Sequence, residues 1–399
     1  MTTDPAPARE ATVVIAGAGP VGLTIALALG RRGVDVVVLE KGDGPGSASR
    51  ASTFHPPSLE FLATLGLVDE VERQGLRAPT YQLRDRARGV IAEFDLGVLA
   101  GDTTHPYRVQ LEQSKFCTLV ADVLADVPSV EVVYGARVTD VTTTPSGAVV
   151  SYGDGDTVSA SWVVGADGAH SAVREAIGVE AEGFTYGERF LVVSTPVDLR
   201  ELIPDLASVN YISDPDEWLV LLQTPDHWRV LFPIGADDDL DAAGEPAAIE
   251  ARLQAVAPRD EPYPVWQFSA YEIHQRVATS FRSGRVVLAG DAAHLNNPLG
   301  GLGMNSGLLD AWSLSDRLGA VVVDGADDAT LDTYADLRRE VALQVVDRQT
   351  RANKQRLEER DPAARAAHQA EVAAVAADPD RAREQLLATT LLASARTHL

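Results

Sequence analysis

Three glycine-containing loops carry the residues of this chain whose types and spacing could do chemistry. The first, Gly17-Ala18-Gly19-Pro20-Val21-Gly22, follows the short apolar, β-branched run Thr12–Ala16. Glycines at that spacing let a backbone turn sharply and approach a pyrophosphate, whose charge is favoured at the N-terminus of the helix that follows. The next apolar strand ends at Glu40, where a carboxylate can accept hydrogen bonds from the ribose hydroxyls of an adenosine half. This unit alone fits either NAD or FAD. A second loop starts at Gly290-Asp291 and runs through Pro298, Gly300, Gly301, Gly303, Met304 and Asn305. An aspartate at the end of an apolar strand can accept a hydrogen bond from a polyol. The following glycines let backbone N–H groups face a ligand at a helix start, where a flavin ring that becomes anionic on reduction is stabilised. A third loop, Gly165 to Arg174, again follows an apolar strand. One long dinucleotide, FAD, would bridge anion sites so far apart in sequence.

The elements that must position these loops are readable from periodicity. A helix is predicted from Pro20 to Arg32 and a strand over Val34–Leu39, which completes a β-turn-α-β unit. Val130–Tyr134, Arg137–Thr142, Ala148–Tyr152 and Trp162–Val164 read as strands separated by turn signals such as Thr144-Pro145-Ser146-Gly147. From about Glu188 to Gly235 the pattern becomes β-rich: Phe190–Leu199, Val209–Ser213, Trp218–Gln223 and Trp228–Pro233. With no helix between them, an antiparallel meander is expected, a different module from the opening unit. Asp237–Gly244 reads as an acidic loop and Ala247–Val256 as a helix. Arg285–Ala289 is a short strand, helices follow from about Gly303, and an Ala-, Arg- and Glu-rich tail beyond Asp361 is expected to be helical and surface-packed.

Composition narrows the function classes. The chain has 399 residues, 45% of them hydrophobic, enough to build two or three packed units rather than a disordered chain. Its formal net charge of −24 disfavours phosphate backbones and anionic membranes, so neither nucleic acid nor membrane is an expected partner. Cys117 is the only cysteine; it falls in a predicted helix, Ser114 to Leu124, and is expected to be buried as a small hydrophobe. No disulfide framework is available, which fits a reducing cytoplasm. Met1–Glu10 lacks the basic and apolar regions of a signal peptide.

Taken together, the three loops resemble, in order, the dinucleotide fingerprint, the "DG" loop and the "GD" loop of the FAD-dependent aromatic hydroxylases of the p-hydroxybenzoate hydroxylase and phenol hydroxylase type. The resemblance covers roughly residues 12 to 345. It implies an α/β fold: a Rossmann-like FAD-binding domain (1–75, 103–180 and 268–345), an inserted antiparallel β-sheet substrate domain (76–102 and 181–267) and C-terminal helices (346–399). It implies non-covalent FAD, with NADH or NADPH as a transient co-substrate. The activity implied is hydroxylation of a small aromatic substrate, phenol-like or heteroaromatic, by O2 through a flavin C4a-hydroperoxide.

By that similarity, Gly17, Gly19, Pro20, Val21, Gly22, Glu40 and Lys41 would hold the ADP half, with Arg50 reaching the pyrophosphate and Val138 the adenine. Asp291 would bind the ribityl chain beside Gly290. The backbone of Gly301, Gly303, Met304 and Asn305 would face the flavin N1/O2 edge, and Pro298 would lie beside the ring where substrate docks. Gln113 would touch the flavin side, and Asp167 and Arg174 would support the FAD and nicotinamide-cofactor region. Trp218, Trp228, Trp266, Phe232 and Tyr211 are candidates for an apolar substrate wall, although aromatic residues on strands are more often core. His55 is the leading candidate for a base that accepts a phenol proton, with His227 and Tyr271 behind it. His294 and His274 read as structural. No second GxGxxG follows a strand, so a separate NADPH domain is not expected, and a thioredoxin-like C-terminal domain is not expected either. A reductase or dehydrogenase of the same fold, or a product-stabilising FAD protein, is the alternative. A cytoplasmic monomer or homodimer is expected.

Overall fold

The computed structural model describes residues 9–47 and 51–398; Arg50 therefore lies outside the described residues. The opening unit forms as its pattern requires. Val13–Ala16 and Val36–Leu39 are apolar without interruption, and both are buried, as suits strands covered on two faces. They pair in parallel in a sheet ordered Arg282–Ser283, Val286–Leu288, Asp156–Gly165, Arg9–Ala16, Val36–Leu39, Val130–Val133. An antiparallel extension, Val138–Thr144 with Gly147–Tyr152, is attached to Asp156–Gly165. The helix Pro20–Gly30 is apolar nearly all round because it is buried on every side, against the sheet and the helices Gln113–Leu124 and Leu302–Asp324. Cys117 lies in Gln113–Leu124; burial pushes its thiol up to about 12, so it packs as a neutral side chain.

This order has a direct consequence. Arg9–Ala16, Asp156–Gly165 and Val286–Leu288 are parallel neighbours, so their carboxyl ends meet at one edge, and each continues into one of the three loops.

A second eight-stranded sheet runs His294–Leu295, Gln267–Ala278, Ala181–Thr195, Trp228–Ile234, Leu219–Gln223, Val209–Ser213, Thr80–Asp85, Gly89–Asp95. Its centre is the expected antiparallel array, but Val209–Ser213 also pairs in parallel with Thr80–Asp85. The expected meander thus has one edge supplied from far upstream. One face packs Leu191, Val193, Trp228, Val230 and Phe232 against Ile249 and Leu253 of the helix Pro246–Val256. The acidic loop Asp237–Gly244 contains a one-turn helix, Leu240–Ala243, because the Asp239 carboxylate accepts from the N–H groups of Asp241 and Ala242. Among the described residues no helix is long and apolar enough to cross a membrane.

The tail is helical over Pro362–Ala377, Pro379–Thr389 and Leu392–His398, but it is more than a surface layer. Ala382, Leu386 and Leu392 share a core cluster with Tyr81, Phe94, Leu96 and Leu99, while Arg383 and Arg396 both donate to Asp102. Removing a fully buried leucine side chain from such a cluster costs about 2–5 kcal/mol. Leu386→Ala is therefore expected to lower the unfolding free energy by that amount, read in chemical denaturation as a lower midpoint; an unchanged midpoint would show the tail to be only loosely attached.

Candidate active site

The three loops line one cleft of about 760 Å³, whose opposite wall is the second sheet. Gly17 adopts φ +101°, and a Cβ there would stand 2.4 Å from the Ala166 carbonyl oxygen, so the first loop and the loop after Gly165 touch backbone to backbone. A Cβ at Gly22 would lie 2.0 Å from the Gly17 oxygen. Gly22 thus lets the helix approach the strand and does not itself line the cleft. Glu40 accepts from the N–H of Ala18 (2.7 Å) with one carboxylate oxygen and from that of Gly42 (2.8 Å) with the other. It shapes the loop while its remaining lone pairs face the cleft rim.

Asp167 accepts from the Ser171 hydroxyl and the Val173 N–H, while Ser171 caps the short helix Ala172–Ala176 by accepting from the Arg174 N–H. Burial raises its carboxyl above the usual range, with the Ser171 hydroxyl opposing. Arg174 donates to the carbonyls of Ala292 (2.9 Å) and Ala169 (3.0 Å), which ties the second glycine loop to the third.

Beneath the Gly290 loop lies an assembly the sequence reading missed. Asp310 is completely buried and accepts from the Gly290 N–H (3.0 Å), His294 Nε2 (2.7 Å) and Arg338 Nε (2.7 Å). Burial pushes the Asp310 carboxyl up, but His294 and Arg338 overcome this and hold it below the ordinary aspartate range. His294 is structural, as expected.

Gly300 and Gly301 have φ of +104° and +68°, and Gly301 is the N-cap of the helix Leu302–Asp324. Their left-handed backbone and close packing against Asn353 and Thr53 account for the two glycines. The Asn305 side chain turns away from the cleft: its Oδ1 accepts from the His55 N–H and the Ser58 hydroxyl, and its Nδ2 donates to the carbonyls of Thr53 and Gly301. His55 is fully buried, with Nε2 3.0 Å from the Gly300 carbonyl. Its imidazole is held well below the ordinary histidine range by burial, reinforced by the charge of Arg108.

Gly17, Gly19, Pro20, Val21, Glu40, Lys41, Gln113, Val138, Asp167, Gly290, Asp291, Pro298, Gly301, Gly303 and Met304 all line the cleft; His55 and Asn305 do not. Of the five wall aromatics, only Tyr211 lines it. Trp228 and Phe232 point to the opposite, helix-covered face, because side chains alternate along a strand. Trp218 packs on Phe190 with ring centroids 5.3 Å apart, and Trp266 is 58% exposed. The wall is made instead by Tyr211, Val220, Leu222, Leu231, Tyr271 and Ile273 together with Arg229. Arg229 and Leu231 occupy the cleft-facing positions of the Trp228–Ile234 strand, and a lone arginine in that apolar run was the available signal. His227 lies outside the cleft, 3.4 Å from Glu112, whereas His274 is on the rim and 2.9 Å from the Thr185 hydroxyl.

Residues 10–349 match the family model described as an FAD binding domain. The chain is 36% identical to para-nitrophenol 4-monooxygenase of Pseudomonas sp. (strain WBC-3) over 88% of this chain and 89% of that one. It is 35% identical to 6-hydroxy-3-succinoylpyridine 3-monooxygenase of Pseudomonas putida (strain DSM 28022 / S16), over 84% and 86%. The crystal structure of p-nitrophenol 4-monooxygenase from Pseudomonas putida DLL-E4 superposes with a TM-score of 0.90 at 34% identity, covering 95% of this chain and 97% of that one. The chain belongs to the FAD-dependent aromatic hydroxylase family. It is an FAD-dependent aromatic monooxygenase with that family's fold.

The residues of this monooxygenase fit FAD. The helices Pro20–Gly30 and Leu302–Asp324 both begin at the cleft with no side-chain cap and no acidic residue in the first turn. Each leaves free N–H groups and the positive end of its dipole for an anionic part of the cofactor.

Removing Arg338 leaves Asp310 buried with one cationic partner fewer. Breaking a buried pair this way costs about 3–5 kcal/mol. Arg338→Gln is expected to lose that stability near neutral pH, and the loss should shrink as pH falls through the depressed Asp310 pKa, where the pair stops contributing in either protein. Denaturant melts at several pH values measure this; a loss independent of pH would separate Arg338 from the Asp310 charge.

Proposed function

We propose that this chain hydroxylates a small phenol-like or heteroaromatic ring, with NADH or NADPH as reductant and O2 as the oxygen source. The observation that carries this reading is the make-up of one cleft. Its floor is a set of glycine loops over two open helix N-termini, and its far wall is apolar with a buried arginine. Bound FAD supplies the redox chemistry, accepting a hydride from the nicotinamide and activating O2 for transfer of one oxygen atom to the ring. The protein's part is to bind, orient and exclude water.

In this reading Gly17, Gly19, Pro20 and Val21 receive the pyrophosphate with Arg50, Glu40 and Lys41 meet the adenosine ribose, and Val138 flanks the adenine. Asp291 takes the ribityl chain. The backbone of Gly301, Gly303 and Met304 would hold the electron-rich edge of the ring, and Pro298 would border the substrate's docking place; Asn305, expected to join them, lies outside the cleft and braces the turn from behind. Gln113 and Asp167 support the flavin side.

His55 serves here as a positioning residue. Its Nε2–H is committed to the Gly300 carbonyl, and a buried, neutral imidazole keeps that donor in place. The phenol oxygen instead meets Arg229, whose charge lies within electrostatic reach of Tyr271. A buried guanidinium favours the ionised phenol, and an ionised ring is the better nucleophile toward oxygen. The relatives that act on a nitrophenol and on a hydroxypyridine support a ring with an acidic hydroxyl. Segments 76–102 and 181–267 form the substrate domain in this reading, 1–75, 103–180 and 268–345 the FAD domain, and 346–399 a helical tail, in a cytoplasmic monomer or homodimer.

Two measurements test this. A charge-assisted hydrogen bond is worth about 1.5–3 kcal/mol, so Asp291→Ala is expected to weaken FAD retention by one to two decades while the fold stays intact. Fluorescence of released flavin reports it, and unchanged retention would remove Asp291 from the cofactor. The holoenzyme given para-nitrophenol and related phenols should consume O2 and NAD(P)H in step and form a product carrying one added ring oxygen. Dye reduction without O2 uptake would point to a dehydrogenase instead.

A further inference from the structure

Behind the cleft wall lies a second, smaller cavity of about 80 Å³. It opens between the strands Thr80–Asp85 and Val209–Ser213 and the tail helices Arg348–Glu358, Pro362–Ala377 and Pro379–Thr389. In a chain of net charge −24 its lining is basic: four arginines and a histidine, and no carboxylate. The four arginines are not equivalent. Arg84 is spent on Gln82 and on the carbonyls of Pro204 and Asp205. Arg365 lies 3.9 Å from Asp85, with its Nη1 buried and unbonded.

Arg108 is the decisive one. It is only 2% exposed, its guanidinium lies 4.4 Å over the Tyr81 ring, and its Nε and Nη1 are buried without any hydrogen-bond partner. A buried guanidinium with two idle donors and no counter-charge is costly, and such groups are ordinarily matched by an anion. Arg356, exposed at the mouth, forms no ion pair among the described residues and adds a second positive charge to the same space.

We propose that this cavity is a carboxylate-binding site built on Arg108 and supported by Arg356 and Arg365. The planar, charged guanidinium matches a carboxylate, which supplies the counter-charge and an acceptor that Arg108 lacks. The volume corresponds to a few water-sized units, room for a carboxylate on a short chain against Leu83, Leu357 and Val372, and too little for an aromatic ring. Two sources have this chemistry. One is a free short-chain carboxylate. The other is an acidic side chain on the aromatic substrate, reaching past Tyr211 and Gly300, which line both cavities; this second source rests on the hydroxylase reading above.

The test uses the FAD-loaded protein. Calorimetric titration with sodium propionate should show one site per chain, weakened about tenfold or more in Arg108→Gln and in Arg356→Gln. Arg356 is exposed, so that variant reports on the site even where the Arg108 substitution impairs folding. In parallel, para-hydroxyphenylpropionate and its neutral counterpart para-ethylphenol are titrated against the flavin absorbance. A preference for the acid that disappears in both variants assigns the site to the substrate's side chain. Propionate binding without such a preference assigns it to a free carboxylate. Absence of propionate binding together with no Arg108- or Arg356-dependent preference for the aromatic acid overturns the site. Because calorimetry does not depend on turnover, intact propionate binding in a protein that hydroxylates nothing would sink the activity and leave this site standing.

Discussion

The buried carboxylate of Asp310 holds the cofactor floor in register with the helices behind it. It sits on the helix Leu302–Asp324 yet accepts from the Gly290 N–H, from His294 and from Arg338 of a separate helix. A lone carboxylate at zero exposure would be driven to its neutral form. Two basic side chains and a backbone N–H keep it charged, and the charge in turn fixes where Gly290 and hence Asp291 stand. Arg174 continues the chain of constraint by joining Ala292 to Ala169 across two loops. The loops are glycine-rich and would otherwise be poorly defined. Their geometry is imposed from behind by ionic and hydrogen-bonded groups that never reach the cleft.

The opposite wall obeys a simpler rule, strand alternation. On Trp228–Ile234, residues 228, 230 and 232 enter the core under the helix Pro246–Val256, while 229 and 231 face the cleft. The large aromatics lie with the core, and the smaller Val220, Leu222 and Leu231 leave space for a ligand. The one charged residue in that strand faces the cleft. Placing Arg229 there incurs a desolvation cost that lowers its pKa, which the nearby Tyr271 and Glu112 partly offset.

The dinucleotide unit, the three loops and most strands were legible because their signals are local: uninterrupted apolar runs, glycines at required spacings and an acid at a strand end. The wall was only half legible. Choosing which aromatics face the ligand needs the register of a sheet assembled from residues 80–95, 181–278 and 294–295, and a shift by one residue exchanges core for cleft. Asp310 was not legible as a hub, since its partners Arg338 and His294 lie on opposite sides of it in sequence. The tail was legible as helix. Its role in burying Tyr81 and Phe94 depends on contacts nearly three hundred residues apart in sequence, which no periodicity records.

That distant contact bears on the site itself. Asn353, in the first of the tail helices, donates to the Leu299 carbonyl, and its amide occupies the space a side chain at Gly300 would need. His55 holds the Gly300 carbonyl from the other side, and Asn305 holds that of Gly301. The turn that starts the helix Leu302–Asp324 is therefore clamped by two separate segments of chain and by a side chain of the helix's own first turns. A helix N-terminus stabilises an anion only if its N–H groups point at a defined place, because the effect fades within one turn. The clamp provides that definition, so the C-terminal helices contribute to the electrostatics of the cleft without contributing a residue to its floor.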